Sequence, residues 1–399
     1  MDAPTSNDTP CRALILSGGG AQAAYEVGVV KALLTGKSSS TNYTPLEIDV
    51  ISGTSAGSVN ACLLLSKLDE GHSAAISYLE DAWLNDIADG PNKCNSGAFR
   101  IRANPLNFID LGCYSNRLAG PFVQFTEDGI FLAKTVLAKA ISLISGSGGF
   151  NQRALELVDI SMFIASDPLR NMLRKRVIFN KLRTSRQILN IATTNWTKGE
   201  IRVFENADMT DDKGVSVIMA SSAIPGIYPW VDVDGELYCD GGVIMNTPLK
   251  PAIDAGASKL HVIYMNPDAS RIPLPSAPNT LNDVSRALVI GFGATVNKDI
   301  QTAEGVNDAI DFLKDGRALK DVARPDIGNV LLAAARELRT RKSEVSHRTI
   351  EVHRYHPDSA LEVGLLTFDR AGLELLIQRG YRDGVEHDCV KNQCLLPPT

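Results

Sequence analysis

LILSGGGAQAAYEVGVVKALL occupies Leu14 to Leu34. A short apolar run ends on three glycines, and a helix-like stretch follows at once. The run Arg12–Ser17 reads as a buried strand, because it is brief, apolar and stopped by glycine. Ala21 to Leu34 reads as a helix, with Ala24, Val27, Val30 and Leu34 on one face. A strand, a glycine loop and a helix together aim backbone N–H groups at something electron-rich. Gly18-x-Gly20-x-x-Ala23 fits the dinucleotide fingerprint with alanine in its last place. The same loop would equally serve the oxyanion of an acyl transfer, so the glycines alone leave both chemistries open.

The next strand separates them. Ile48–Ser52 reads as a second buried strand, and Gly53-Thr54-Ser55-Ala56-Gly57 follows, leading into the helix-like SVNACLLLSKL. A dinucleotide site needs an acid at the end of this strand to hold the ribose. Asp49 stands near its beginning and Glu47 before it, so neither is well placed. What the strand does end on is G-x-S-x-G. On a sharp strand-to-helix turn, Ser55 would expose its Oγ at the carboxyl edge of the sheet. Gly53 and Gly57 would let neighbouring elements pass close to it. Read without its setting, the pentapeptide is a glycine-rich turn with a capping serine.

A serine hydroxyl needs a base. His261, His347, His353, His356 and His387 are available in the second half, but none sits in an evident loop motif. Three of them fall inside strand-like runs, His261 in KLHVIYM and His353 and His356 in EVHRYH. Asp240 is the better candidate. It ends a hairpin strand in VDVDGELYCD (Val231–Asp240, turning on Asp234-Gly235), and two glycines follow it. Alone, Asp-Gly-Gly also reads as a turn.

The remaining pattern is α/β. ILNIATTNW and GEIRVFE read as strands joined through Lys198-Gly199, TPLKPAIDAGA as a short helix, and KLHVIYM as a strand. GNVLLAAARELR and AGLELLIQRGYRDG read as later helices. Alternating strands and helices predict a mainly parallel sheet covered on both faces. Residues 71–184 break the alternation and read as a mostly helical, lid-like insertion. It contains an amphipathic helix over Phe131–Ile144 and a flexible break over Ser145–Gly149.

The chain has 399 residues, 44% apolar and 22% charged, with a net charge of −6. An acidic balance argues against nucleic acid as a partner. The polar start MDAPTSNDTP lacks the basic and apolar regions of a signal peptide, and residues 1–11 are expected as a disordered leader. No apolar run is long enough to span a membrane, so the expected location is the cytoplasm. Cys11, Cys62, Cys94, Cys113, Cys239, Cys389 and Cys394 make an odd count, against a disulfide framework. Cys94 with Cys113, or Cys389 with Cys394, could pair in an oxidising compartment. There is no C-x-x-C and no H-E-x-x-H, and neither a metal nor a cofactor is expected. Leu169–Arg186 carries Arg170, Arg174, Lys175, Arg176, Lys181, Arg183 and Arg186 with apolar residues between them and no acid. It offers a peripheral contact with anionic lipid headgroups, or else a solvated face paired with acids elsewhere.

LSGGGAQAAYEVGVVKAL, GTSAGSVNA, ASSAIPGIYP and DGGVIMNTPLKPAIDAGA, in that order, resemble the patatin-like phospholipase family over Ala13 to Met265. FDRAGLELLIQRGYRDG resembles the closing helix of some bacterial members. The resemblance implies a three-layer α/β/α catalytic domain over 12–265; residues 266–399 are expected as a helical extension packed on the same core. It implies a Ser55–Asp240 dyad without a catalytic histidine, and an oxyanion hole at Gly18, Gly19 and Gly20. It also implies a fatty-acyl ester substrate, chiefly a phospholipid. The family loop usually carries a basic residue and a last glycine, where this chain has Gln22 and Ala23. A catalytically weak, lipid-binding member is therefore the alternative. An unperturbed aspartate, near pKa 3.9, is a weak base for serine, so the dyad would need a desolvated setting.

Overall fold

The computed structural model of the chain describes residues 10–88, 97–101, 128, 130, 164–265, 280–314 and 349–396. In chain order the elements are β1 (Arg12–Leu16), α1 (Ala24–Leu34), β2 (Val50–Thr54), α2 (Ala56–Leu68) and α3 (His72–Asp81). A π-helical turn over Ala82–Ile87 and the two-residue strands β3 (Arg100–Ile101) and β4 (Ile164–Ala165) come next. Then follow α4 (Asp167–Arg176), α5 (Phe179–Thr184), β5 (Ile188–Asn195), β6 (Glu200–Glu205), α6 (Asp211–Ser221), β7 (Val231–Val233) and β8 (Glu236–Asp240). The last are α7 (Leu249–Asp254), β9 (Lys259–Ile263), α8 (Thr280–Lys314), β10 (Glu351–Tyr355) and α9 (Arg370–Val385).

One mixed sheet of eight strands forms the middle layer, in the order β10-β9-β1-β2-β5-β8-β7, with β6 on β5. β10, β9, β1, β2 and β5 run parallel. β6, β7 and β8 join antiparallel. The expected hairpin is β7–β8, with Asp234 and Gly235 both at positive φ in its turn. The side-chain alternation of β1 separates two cores. Leu14 and Leu16 join the larger apolar cluster with α1, α2, α3 and α9. Ala13 and Ile15 join a second cluster with α7 and α8. Both faces are thus covered, as a sheet of buried parallel strands requires.

α1 is shorter than its sequence pattern predicts, because Gly20–Ala23 winds as a 3-10 turn before it. It is also buried on nearly every side, not on a single face. The reason is α9, whose backbone touches that of α1. A Cβ on Gly28 would run into the Ile377 carbonyl, and one on Gly380 into the Tyr25 carbonyl. The EVHRYH segment is β10, so the region after residue 265 adds an edge strand to the sheet as well as helices. Within the expected insertion, α3, α4 and α5 are helical. The helix expected over Phe131–Ile144, the break at Ser145–Gly149, the GNVLLAAARELR helix, Cys94, Cys113 and His347 lie outside the described residues. Among the described residues, no helix is long and apolar enough to cross a membrane.

Candidate active site

The carboxyl ends of β1 and β2 and the end of β8 converge. Ser55 sits between β2 and α2 with φ 54° and ψ −127°. A non-glycine residue at positive φ is strained and persists only where its surroundings hold it. Here they do. A Cβ on Gly53 would lie 2.6 Å from the Gly57 carbonyl oxygen, and one on Gly57 would strike the Leu16 carbonyl. The Ser55 N–H donates to Ser221 Oγ at 2.9 Å, and Ser221 Oγ donates on to the Ala192 carbonyl at 2.7 Å. Ser58 Oγ closes the first helical turn on the Ser55 carbonyl at 2.6 Å.

Asp240 is fully buried. Its N–H donates to the Ala223 carbonyl at 2.9 Å, and its carbonyl accepts from Thr194 Oγ1 at 2.9 Å. Carboxylate Oδ1 accepts the Gly242 N–H at 2.7 Å. Oδ2 is buried and makes no hydrogen bond among the described residues. Burial pushes the carboxyl up to about 7, with the Ser55 hydroxyl and the Gly242 N–H pulling it back toward the charged form. The Ser55 hydroxyl is thus near enough to favour the carboxylate, without a tight bond to it. Apo sites often hold such pairs loosely until substrate binds.

The glycine loop is tied to the Asp240 loop through Asn246. The Gly18 N–H donates to the Asn246 carbonyl and Asn246 Nδ2 to the Gly18 carbonyl, each at 3.2 Å. The N–H groups of Gly19 and Gly20 make no hydrogen bond among the described residues. The other side of the loop is held from far along the chain. The Ala21 N–H donates to the Leu365 carbonyl at 2.8 Å, and Gln22 Nε2 to the Val363 carbonyl at 2.9 Å. Gln22, standing where the family pattern has a basic residue, is therefore a tether. Ser221, Asn246 and the 363–368 segment had no assigned role from sequence. ASSAIPG is the one local signal that could have pointed to Ser221.

Two cavities meet here. One of about 50 Å³ touches Gly20 and Ser55 and is walled by Trp83, Leu169, Leu366 and Phe368. The other, of about 300 Å³, contains Arg170, Asp232 and the exposed Trp230. They share Leu169, Ser222 and Tyr228. Much of the basic segment is spent elsewhere. Lys175 pairs with Asp86 at 2.9 Å, Arg176 with Asp81 at 2.7 Å, Lys181 with Asp69 and Glu70 at 2.8 and 2.7 Å, and Arg183 with Asp211 at 3.5 Å.

The histidines form no hydrogen bond with Ser55 or Asp240 among the described residues. His261 Nδ1 meets the Tyr355 hydroxyl at 3.0 Å, and His353 Nε2 meets Glu351 at 2.6 Å.

The family model described as patatin-like phospholipase matches residues 14–253, which include the glycine loop, Ser55 and Asp240. The chain belongs to the patatin-like phospholipase family. Members of the patatin-like phospholipase family are lipid hydrolases. The dinucleotide reading is left without support. No curated protein matches the chain. Among solved structures, it is similar to VipD from Legionella pneumophila at 16% identity and a TM-score of 0.36, over 94% of this chain and 66% of that one. It is also similar to the type III effector protein ExoU at 18% identity and a TM-score of 0.23, over 83% of this chain and 63% of that one. The chain spans less than two thirds of the length of either.

Proposed function

We propose that this patatin-like protein cleaves fatty-acyl esters of phospholipids with Ser55 as nucleophile and Asp240 as base. The observation that carries the reading is the strained Ser55 turn beside a buried carboxylate whose Oδ2 has no partner among the described residues. Asp240 accepts the hydroxyl proton as Ser55 Oγ attacks the ester carbonyl. The tetrahedral oxyanion accepts from the N–H groups of Gly19 and Gly20, which have no partner among the described residues, while Gly18, engaged with Asn246, fixes the loop. Such donors are each worth on the order of 100–1,000-fold in rate. The protonated Asp240 then gives its proton to the leaving alcohol. In the second step it deprotonates a water, which attacks the acyl-serine and frees the fatty acid.

The apolar cavity beside Ser55 suits the acyl chain, and it must widen, since about 50 Å³ is well below an ordinary ligand pocket. For the approach to a lipid surface, the stacked and exposed Trp196 and Trp230 offer aromatic anchors beside Arg170.

The test is a phospholipid panel with products identified by mass. Ser55→Ala should lose at least about a thousandfold in kcat/KM. Asp240→Asn should lose nearly as much, and any single histidine variant little. Undiminished hydrolysis by Ser55→Ala would refute the assignment. If the wild type neither turns over lipid nor reacts with a fluorophosphonate probe, the non-catalytic, lipid-binding reading replaces it.

A further inference from the structure

Away from Ser55, the edge of the sheet carries a second constellation. His353 points from β10, and His387, Cys389 and Cys394 follow α9 in the chain. Their ligand atoms all lie within 4.8 Å of one another. Cys389 Sγ is 3.4 Å from His353 Nδ1 and 3.5 Å from His387 Nε2, and Cys394 Sγ is 3.4 Å from His387 Nε2. A tetrahedral zinc, with bonds of about 2.3 Å to sulfur and about 2.0–2.1 Å to nitrogen, has S···N edges of about 3.5 Å. Three S···N distances in the cluster therefore already match the edges such an ion needs.

The surroundings fit as well. His353 Nε2 meets the Glu351 carboxylate at 2.6 Å, which itself pairs with Lys259 at 2.8 Å. A carboxylate there fixes the proton on Nε2 and leaves the Nδ1 lone pair facing the two cysteines. Metal-bound histidines are typically oriented by such an outer carboxylate. The Arg354 N–H donates to Cys394 Sγ at 3.3 Å, the kind of bond that supports a thiolate. Next to it, Val352 and Leu395 exchange backbone hydrogen bonds of 2.7 and 2.9 Å, so the strand and the tail are already in register. Both histidines are buried.

We propose that His353, His387, Cys389 and Cys394 bind one zinc ion in a closed Cys2His2 site with a structural role. Two thiolates and two imidazoles favour zinc over the hard cations, and four protein ligands leave no position for substrate. On binding, the two thiols release their protons to solvent and the histidines bind as neutral imidazoles. The ion would join β10 to the chain 34 positions further on. It would thereby bracket the segment that carries α9 and the Val363–Phe368 wall of the Ser55 cavity.

The experiment uses the reduced full-length protein. One Co(II) per chain should bind with thiolate charge-transfer bands and tetrahedral d–d bands, and one equivalent of zinc should displace it. Cys389→Ser and Cys394→Ser should each lose the thiolate bands, whereas Cys11→Ser keeps them. Glu351→Gln should keep the bands and weaken zinc affinity about 10–100-fold. Should the cysteine variants fail to fold, alkylation of the wild type followed by peptide mass supplies the second measurement. Zinc should then protect Cys389 and Cys394 and no other cysteine. Absent thiolate bands in the wild type, or alkylation of both residues unchanged by zinc, would overturn the proposal. So would a Cys389–Cys394 disulfide that persists when the protein is purified with zinc under mild reductant.

Discussion

At the residue scale, the decisive quantity is the charge on Asp240. Burial raises its carboxyl to about 7, so near neutrality the proposed base is ionised in part of the molecules without any imidazole. A proton acceptor must be ionised to act. kcat/KM should therefore climb as pH rises through about 7 and level off above it, read from initial rates on a soluble ester. Stability should run the other way. The unfolded carboxyl titrates near 4 and the folded one higher, so the native state holds more protons between the two. The contribution of Asp240 is full below about 4 and is lost as pH rises through about 7. Asp240→Asn should remove that fall, as seen in urea midpoints across the same range. Glu26, also fully buried and raised well above its usual value, slopes in the same direction.

Ser55 and Asp240, the proposed dyad, were legible because each is announced locally. Ser55 lies between an apolar run and a helix pattern, and Asp240 closes a hairpin on glycines. The residues that hold them were not. Ser221 is 166 positions from Ser55, and Asn246 is 228 from Gly18. Hydrogen bonds across such separations leave no periodicity in the sequence. The cysteine–histidine cluster was hidden similarly. Its spacing, H-x-C-x4-C with a distant histidine, matches neither of the metal motifs sought.

At the element scale, α1 illustrates how a pattern can be right about type and incomplete about setting. Its apolar residues predicted a helix, but the residues pointing away from the sheet are buried too, because α9 lies on them. Gly28 is what permits that approach. Gly28→Ala adds one methyl against the backbone of the partner helix, which cannot rotate out of the way. The gain in helix propensity is about 1 kcal/mol. Overpacking typically costs about 1–3 kcal/mol, and contact with backbone belongs at the upper end. A net loss of stability is expected, measured by chemical denaturation, with the fold retained. The mixed character of the sheet has a similar origin. The parallel half follows from strands alternating with helices. The antiparallel half follows from the β5–β6 and β7–β8 hairpins, whose tight turns allow only that pairing.

At the scale of the whole molecule, the Ser55 cavity is built from both ends of the chain. Gly20 and Ser55 come from the first sixth of the sequence, while Leu366 and Phe368 come from the segment between β10 and α9. Leu366→Ala should enlarge the cavity without disturbing Ser55 or Asp240. Preference should then move toward longer or bulkier acyl chains, by about tenfold for a methylene newly accommodated. A series of esters of increasing chain length measures it as a ratio of kcat/KM values. An unchanged ratio would mean that the acyl chain lies elsewhere.

The hydrogen bonds from Ala21 and Gln22 to Leu365 and Val363 bear on the order in which the protein is made. A chain emerging from the ribosome exposes the glycine loop and the serine early, but the backbone that braces them appears only later, Val363 being 341 positions beyond Gln22. Until then the loop lacks its support and the cavity lacks a wall. On the proposed activity, an enzyme assembled in this way stays harmless until Val363 has been made, and a chain cut short before that residue is silent.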